Sequence, residues 1–259
     1  MKTKLGLLAL FTVLAVSGRQ IDAAEALKSR WLNEPVKVDG VIDDWPTLTP
    51  ITKEVVGAAA NDAEWLYLAV AASDPAARQR LMISGLIVYL DPTDKKQKTF
   101  GVRIPPLGGR PSFGRGTPDE PAGVTPRGPS VSYVEVLGPG KDETHIVDLA
   151  SSRALQAAAG ENAGALLIEL AVPLTAKEHH PYAPGRSDAK SALGLGLLTP
   201  DPPALSGRGG AGRTGMPSGG GGRGGMGGGG GMGGGMRGQP GGLQGKALKA
   251  WTKIELARK

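Results

Sequence analysis

The chain of 259 residues contains no cysteine. That one absence removes disulfides, thiolate metal sites and cysteine nucleophiles together. Aromatics make up only 4 % of the sequence, and histidine occurs three times, at His145, His179 and His180. His179 and His180 are adjacent in a polar stretch, a spacing that seldom aims two imidazoles at one metal. After Val16 no apolar run approaches the ~20 residues of a membrane-spanning helix, so no membrane span is expected. Catalytic signatures are missing as well: there is no Gly-x-Ser-x-Gly, no His-Glu-x-x-His and no phosphate-binding loop. A match to Ser-x-x-Lys, at Ser187-Asp188-Ala189-Lys190, lacks its companion motifs. The expectation is a protein that is not an enzyme.

The formal charge of +6 does not describe a basic surface. Lys2, Lys4, Arg19 and Asp22 give the first 23 residues a net +2. Arg208, Arg213, Arg223 and Arg237 give the glycine-rich stretch 206–242 a net +4, which leaves the rest near neutral. Nucleic-acid binding needs clustered positive charge, so no nucleic-acid partner is expected of the body. The N-terminus has a basic start, an apolar run from Leu5 to Val16, and small residues at Ala23-Ala24. That is the three-part pattern of a secretory signal peptide over residues 1–23. Twelve apolar residues span about 18 Å as a helix, short of a ~30 Å hydrocarbon core. The expected location is therefore exported, periplasmic or extracellular.

Within residues 24–259 the hydrophobic period is two. Leu166, Ile168, Leu170 and Val172 form one such series, Phe100, Val102 and Ile104 another, and Ile254 and Leu256 a third. This alternation is that of strands with one buried face. Further strands are expected at 35–39, 51–58, 64–72, 85–91, 131–137, 144–149, 192–199 and 247–257. Residues 64–72 are apolar on both faces and read as a central strand. Short helices are expected at Pro75–Met82, with Asp74 as N-cap and Pro75 in first position, and at Ser151–Ala159. So many strands and so little helix predict an all-β fold: an antiparallel, jelly-roll-like β-sandwich of nine or ten strands in a single domain.

Two insertions interrupt it. Residues 105–130 are rich in proline and glycine, and 206–242 hold 22 glycines in 37 residues with no aromatic. Glycine loses the most backbone entropy on ordering, and the tract has little apolar area to compensate. The expectation is two disordered insertions, the second a loop between the last two strands.

The segment Val38-Asp39-Gly40-Val41-Ile42-Asp43-Asp44-Trp45 resembles the N-terminal signature of family-9 carbohydrate-binding-module-like and DOMON-like β-sandwiches of exported bacterial proteins. The likeness continues through Asn61-Asp62-Ala63, Leu66-Tyr67-Leu68, Asp74, Leu86–Leu90 with Asp91-Pro92, and Trp251-Thr252-Lys253-Ile254-Glu255-Leu256. It implies a β-sandwich that binds carbohydrate or another extracytoplasmic ligand. A structural or protein-interaction module of the cell envelope, using the glycine-rich loop, is the alternative.

Sugar binding by a sandwich needs outward, flat aromatics. Trp251 alternates with Lys253 and Glu255, and Tyr89 lies opposite in phase to Leu86, Val88 and Leu90, so these two are the candidate ligand contacts. Trp45 and Trp65 read as core. Asp39, Asp43 and Asp44 cluster in one loop. They form either a capped tight turn or part of a Ca²⁺ site, with Asp62, Asp74, Asp91 and Asp94 as distant contributors. No other cofactor is expected.

Overall fold

A computed structural model of the chain describes residues 26–108, 128–140, 142–185, 192–200 and 247–259. The expected leader (1–23), the middle of the 105–130 insertion (109–127) and the glycine tract (206–242) lie outside the described residues. The chain runs through β1 (Leu27–Lys28), β2 (Arg30–Trp31), a 3-10 turn (Ile42–Asp44), β3 (Thr49–Pro50), β4 (Val56–Asn61), β5 (Trp65–Ala72) and helix α1 (Pro75–Ser84). It continues through β6 (Leu86–Asp91), β7 (Gly101–Ile104), β8 (Tyr133–Leu137), β9 (Thr144–Asp148), β10 (Gln156–Asn162), β11 (Ala165–Pro173), β12 (Ala192–Leu198) and β13 (Lys249–Glu255).

Two sheets pack face to face. The seven-stranded sheet has the order β1-β13-β12-β6-β7-β8-β9; the other runs β10-β11-β5-β4-β2, with β3 paired to β4. Every pairing is antiparallel except β1 with β13 and β2 with β4. The β-sandwich expectation holds, with thirteen strands among the described residues because three of two residues each were too short to show a period. β5 is central, between β11 and β4, and β12 pairs directly with β13 across the interval that holds the glycine tract.

The core between the sheets follows the alternation. Leu66, Leu68 and Val70 of β5 and Leu166, Ile168 and Leu170 of β11 meet Val88 and Leu90 of β6 and Leu195 and Leu197 of β12. Burying each such side chain contributes about 1.5–3 kcal/mol. The N-terminal segment seals one end by changing sheets at Ser29, because β1 joins one sheet and β2 the other. The Ser29 hydroxyl donates to Asn61 Oδ1, while the Ala257 N–H reaches Ser29 Oγ at 2.8 Å and Asn61 Oδ1 at 3.0 Å. Asn61 is fully buried, so this network satisfies polar atoms that would otherwise be costly.

Helix α1 begins as its sequence implies: Asp74 accepts from the Ala77 N–H at 2.8 Å, and Gly85 (φ 73°) ends it. The helix expected at Ser151–Ala159 does not form. Residues 156–162 are the edge strand β10, in unbroken register with β11. Alanine's helix propensity is worth only tenths of a kcal/mol per residue, less than a seven-pair ladder packed beside the core. The 35–39 segment is irregular rather than a strand, and 51–58 becomes strand only at Val56. Before it, Thr52 Oγ1 accepts the Glu54 and Val55 N–H groups in a turn.

Candidate functional site

Each sheet has an outward face, and the two are built differently. On the six-stranded sheet, β5 and β11 also present apolar residues outward: Tyr67, Ala69, Ala71, Leu167 and Ala171. Residues 32–48 lie across them and contribute Leu32, Val36 and Trp45, which is 5 % exposed. The segment that carries the family-like signature is thus the cover of a second core.

Glu169 of β11 holds that cover in place. Its Oε2 accepts the N–H groups of Asp39 at 2.9 Å and Gly40 at 2.6 Å, and its Oε1 accepts Trp45 Nε1–H at 2.5 Å. The residue has no exposed surface. Burial pushes its carboxyl above the usual glutamate range, against the three hydrogen bonds, which favour the charged form. Gly40 sits at φ 79°, and a Cβ there would lie 2.8 Å from the backbone of Ala159. Only glycine fits this approach without strain.

The acidic loop makes local backbone hydrogen bonds of the capped-turn kind. Asp39 Oδ1 accepts the Val41 N–H at 3.0 Å, and Asp44 Oδ2 accepts the Lys37 N–H at 3.1 Å. Asp43 is exposed on the 3-10 turn. The more distant carboxylates are also engaged locally: Asp62 accepts from Glu64 and Trp65, and Asp74 caps α1. Among the described residues no group of three or more histidine, aspartate or glutamate side chains is placed to hold a metal ion.

The outward face of the seven-stranded sheet carries the two candidate aromatics in one cross-strand row. Trp251 of β13 is opposite Gly196 of β12, which is opposite Tyr89 of β6, which is opposite Gly101 of β7. Both rings lie down over the glycines. A Cβ on Gly196 would come within 2.8 Å of the Trp251 ring, and one on Gly101 within 2.8 Å of the Tyr89 ring. Glycine inside a strand marks such a close approach. The rings are nearly parallel, 17° apart with centroids separated by 6.3 Å, and both are partly exposed. They form one flat aromatic surface.

Charged and polar groups border it. Lys98 Nζ lies 5.4 Å from the Tyr89 ring centroid, in cation–π range. In the adjacent row Arg103 pairs with Glu135 at 3.2 Å, and Lys253 lies beyond Trp251 on the same face. Burial raises the Tyr89 phenol above its ordinary pKa, with Arg103 opposing, so it is a neutral donor at physiological pH. Asp91, at the end of β6, organises the loop that follows it. Its Oδ1 accepts Thr93 N–H and Oγ1–H, and its Oδ2 accepts the N–H groups of Lys95 and Gln97, so one carboxylate folds the loop that leads to Lys98. Burial alone would raise the Asp91 carboxyl, but the hydrogen bonds outweigh it and hold it below the usual range.

The structure brings Tyr89 and Trp251 together and places Asp39, Asp43 and Asp44 in the segment that covers the other sheet. Trp45 is core as expected, whereas Trp65 is only partly buried, set edge-on to His180 at 4.8 Å. Sequence reasoning missed Glu169, Gly101 and Gly196. A lone acid in a strand otherwise apolar on both faces was the available signal for Glu169, since a buried charge requires partners. Glycines at alternate positions of β12 were the signal for the aromatic row. No helix among the described residues is long and apolar enough to cross a membrane.

The chain is similar to a carbohydrate-binding module of family 9 from Caldicellulosiruptor kristjanssonii in complex with glucose, at 9 % identity and a TM-score of 0.33. That alignment covers 68 % of this chain and 78 % of the module. The module solved in complex with cellotriose gives 11 % identity and a TM-score of 0.32, covering 68 % of this chain and 76 % of its own. No known family profile and no curated protein matches the sequence.

Proposed function

We propose that this protein is an exported, non-catalytic module that binds carbohydrate on the outward face of its seven-stranded sheet. The observation that carries the reading is the row Trp251–Gly196–Tyr89–Gly101, in which two side chains lie flat and side by side on an open sheet surface. Pyranose rings present an apolar face of C–H groups and a rim of hydroxyls. A flat aromatic surface takes the first by dispersion and burial. Lys98, the Arg103–Glu135 pair and Lys253 surround it with donors and acceptors for the second. Sites of this kind combine a largely apolar lining with few orienting polar groups.

The test is a screen of soluble and insoluble glycans with the wild type and Trp251→Ala, run with Ca²⁺ and with chelator. Binding by the wild type that drops at least tenfold in Trp251→Ala, with an unchanged thermal melt, is the expected result. A well-folded wild type that binds no glycan in either condition refutes the reading.

A further inference from the structure

The ends of the two sheets are not equally protected. β1 and β2, which close one side of the sandwich, are two residues long. On the other side β10 has cover: Asn162 Nδ2 donates to the Gly40 carbonyl at 2.9 Å, and Arg78 donates to Gly164 O at 2.7 Å and pairs with Glu161. β9 ends the seven-stranded sheet, and among the described residues no strand pairs with its outer edge. The ladder to β8 is continuous over five residue pairs, without a bulge. Leu149 N–H bonds to Ser132 O and Gly138 N–H to Glu143 O, which sets the phase of that ladder. Residues 145 and 147 therefore bond to β8, while 144, 146 and 148 direct their N–H and C=O groups outward.

Natural sheets blunt such edges with lysine, proline or bulges. Thr144-His145-Ile146-Val147-Asp148 has none of these. Instead its centre is Ile146, 73 % exposed and the most exposed of the large hydrophobic side chains among the described residues. The strand is also compatible with itself. Antiparallel pairing about a two-fold axis at Ile146 sets Ile146 against Ile146, His145 against Val147, Thr144 against Asp148 and Glu143 against Leu149. No two like charges fall opposite, and the outward N–H and C=O groups of residues 144, 146 and 148 are satisfied reciprocally.

We propose that this protein forms a homodimer through β9, by edge-to-edge pairing of two copies centred on Ile146. The two seven-stranded sheets then join into one sheet of fourteen strands. A two-fold axis normal to a sheet keeps each face on its own side, so both aromatic surfaces point the same way. Seven strand steps separate the two copies of Tyr89, roughly 34 Å at the usual strand spacing. That last consequence rests on the carbohydrate reading and makes the dimer bivalent toward a polymeric glycan; the pairing itself does not depend on it.

The experiment is light scattering on the eluting full chain across a range of micromolar concentrations, for wild type, Ile146→Lys, Ile146→Pro and Trp251→Ala. Wild type and Trp251→Ala give twice the chain mass. Ile146→Lys and Ile146→Pro give the single-chain mass with the far-UV circular dichroism of the folded wild type, since Ile146 uses neither its side chain nor its N–H inside the protomer; their melting temperature no longer rises with protein concentration as that of the wild type does. Because the chain has no cysteine of its own, Ile146→Cys adds a direct probe. Facing residues across the new ladder stand about 5.5 Å apart at Cα, within disulfide reach, so oxidation yields a covalent dimer. Leu137→Cys, on the same face but one strand away, yields none. A wild type of single-chain mass throughout, a dimer that survives both Ile146 substitutions, or no cross-link in Ile146→Cys overturns the proposal.

Discussion

The two outward faces of the sandwich start from the same strand geometry and end differently. On the six-stranded sheet the outward residues of β5 and β11 are apolar, and the stretch 32–48 packs over them with Trp45 as its anchor. On the seven-stranded sheet the outward row alternates an aromatic ring with a glycine, and the rings lie on the sheet itself. One face spends its aromatic on folding and fixes it through a buried carboxylate. The other leaves its aromatics partly exposed and lowers them onto bare backbone. The most recognisable motif in the chain, Asp39 to Trp45, is held by packing and by Glu169, while the proposed ligand-contact residues stand alone in strands without any motif.

The sharpest way to break this contrast is at Glu169. In Glu169→Gln one of the two terminal atoms becomes an NH₂ that faces N–H donors it cannot accept. Leaving buried donors unpaired costs about 2–3 kcal/mol, and urea or thermal unfolding at neutral pH reads that loss. Because burial raises this carboxyl, the folded chain holds the proton more tightly than the unfolded one. The wild-type margin over Glu169→Gln is therefore largest below the ordinary glutamate value and shrinks as pH rises through the raised one. Glycan affinity of the remaining folded fraction stays at the wild-type level. A variant as stable as wild type would remove Glu169 from its role.

Gly40→Ala attacks the same cover through the backbone. The φ of 79° disfavours any residue with a Cβ by about 1–2 kcal/mol, and the contact with Ala159 adds strain. A loss of about 2 kcal/mol is expected from denaturant midpoints, again without a change in binding.

Much of the scaffold could be read directly from spacing. The period-two runs located β5 to β8 and β11 to β13 within about two residues at their ends, because each has an inward set of large aliphatics and a distinct outward set. Asp74 and Pro75 marked α1, the one α-helix among the described residues, through its local capping chemistry. The failures are tertiary. Ala157, Ala158 and Ala159 have a helical preference that the β11 ladder overrides. Residues 35–39 have a strand-like pattern because they pack on a sheet without joining it. At the site, alternation alone chose Tyr89 and Trp251, but it could not show that they share a row. That depends on the registers of β12 with both β6 and β13, which set Gly196 opposite Tyr89 and Trp251, residues far from it in sequence that only folding brings alongside.

On the open face, Gly196→Val is the informative change. Its side chain occupies the space 2.8 Å beneath the Trp251 ring, and that ring is the movable end of a side chain rather than backbone. The strand gains a residue with better β-propensity while the ring is lifted out of the plane it shares with Tyr89. The expected outcome is a melt within a few degrees of wild type and a glycan affinity lower by about tenfold, equivalent to ~1.4 kcal/mol. Isothermal titration against the best glycan of the screen measures it. If affinity is unchanged while the ring is displaced, the flat surface is not what the ligand uses.

The smallest effect is expected at Asp91, where the loop rather than the ring is altered. Its carboxyl lies below the ordinary aspartate value when folded, so its stabilising contribution is complete above that value and is lost as pH falls through the depressed one. Asp91→Asn cannot present four acceptor sites, since one end of the amide is a donor. Its acid limb of stability is therefore flatter than that of wild type, and the path from Thr93 to Gln97 loses hydrogen bonds that set Lys98 over Tyr89. An exposed cation–π contact is worth about 0.5–1 kcal/mol, so glycan affinity falls roughly two- to fivefold at neutral pH. Lys98→Met removes the cation while leaving Asp91 intact, and it should reproduce the affinity loss without the change in acid stability. Only if the two variants divide in that way does the carboxylate act on the aromatic surface through the loop; equal acid profiles for both would mean that Asp91 and Lys98 are unconnected.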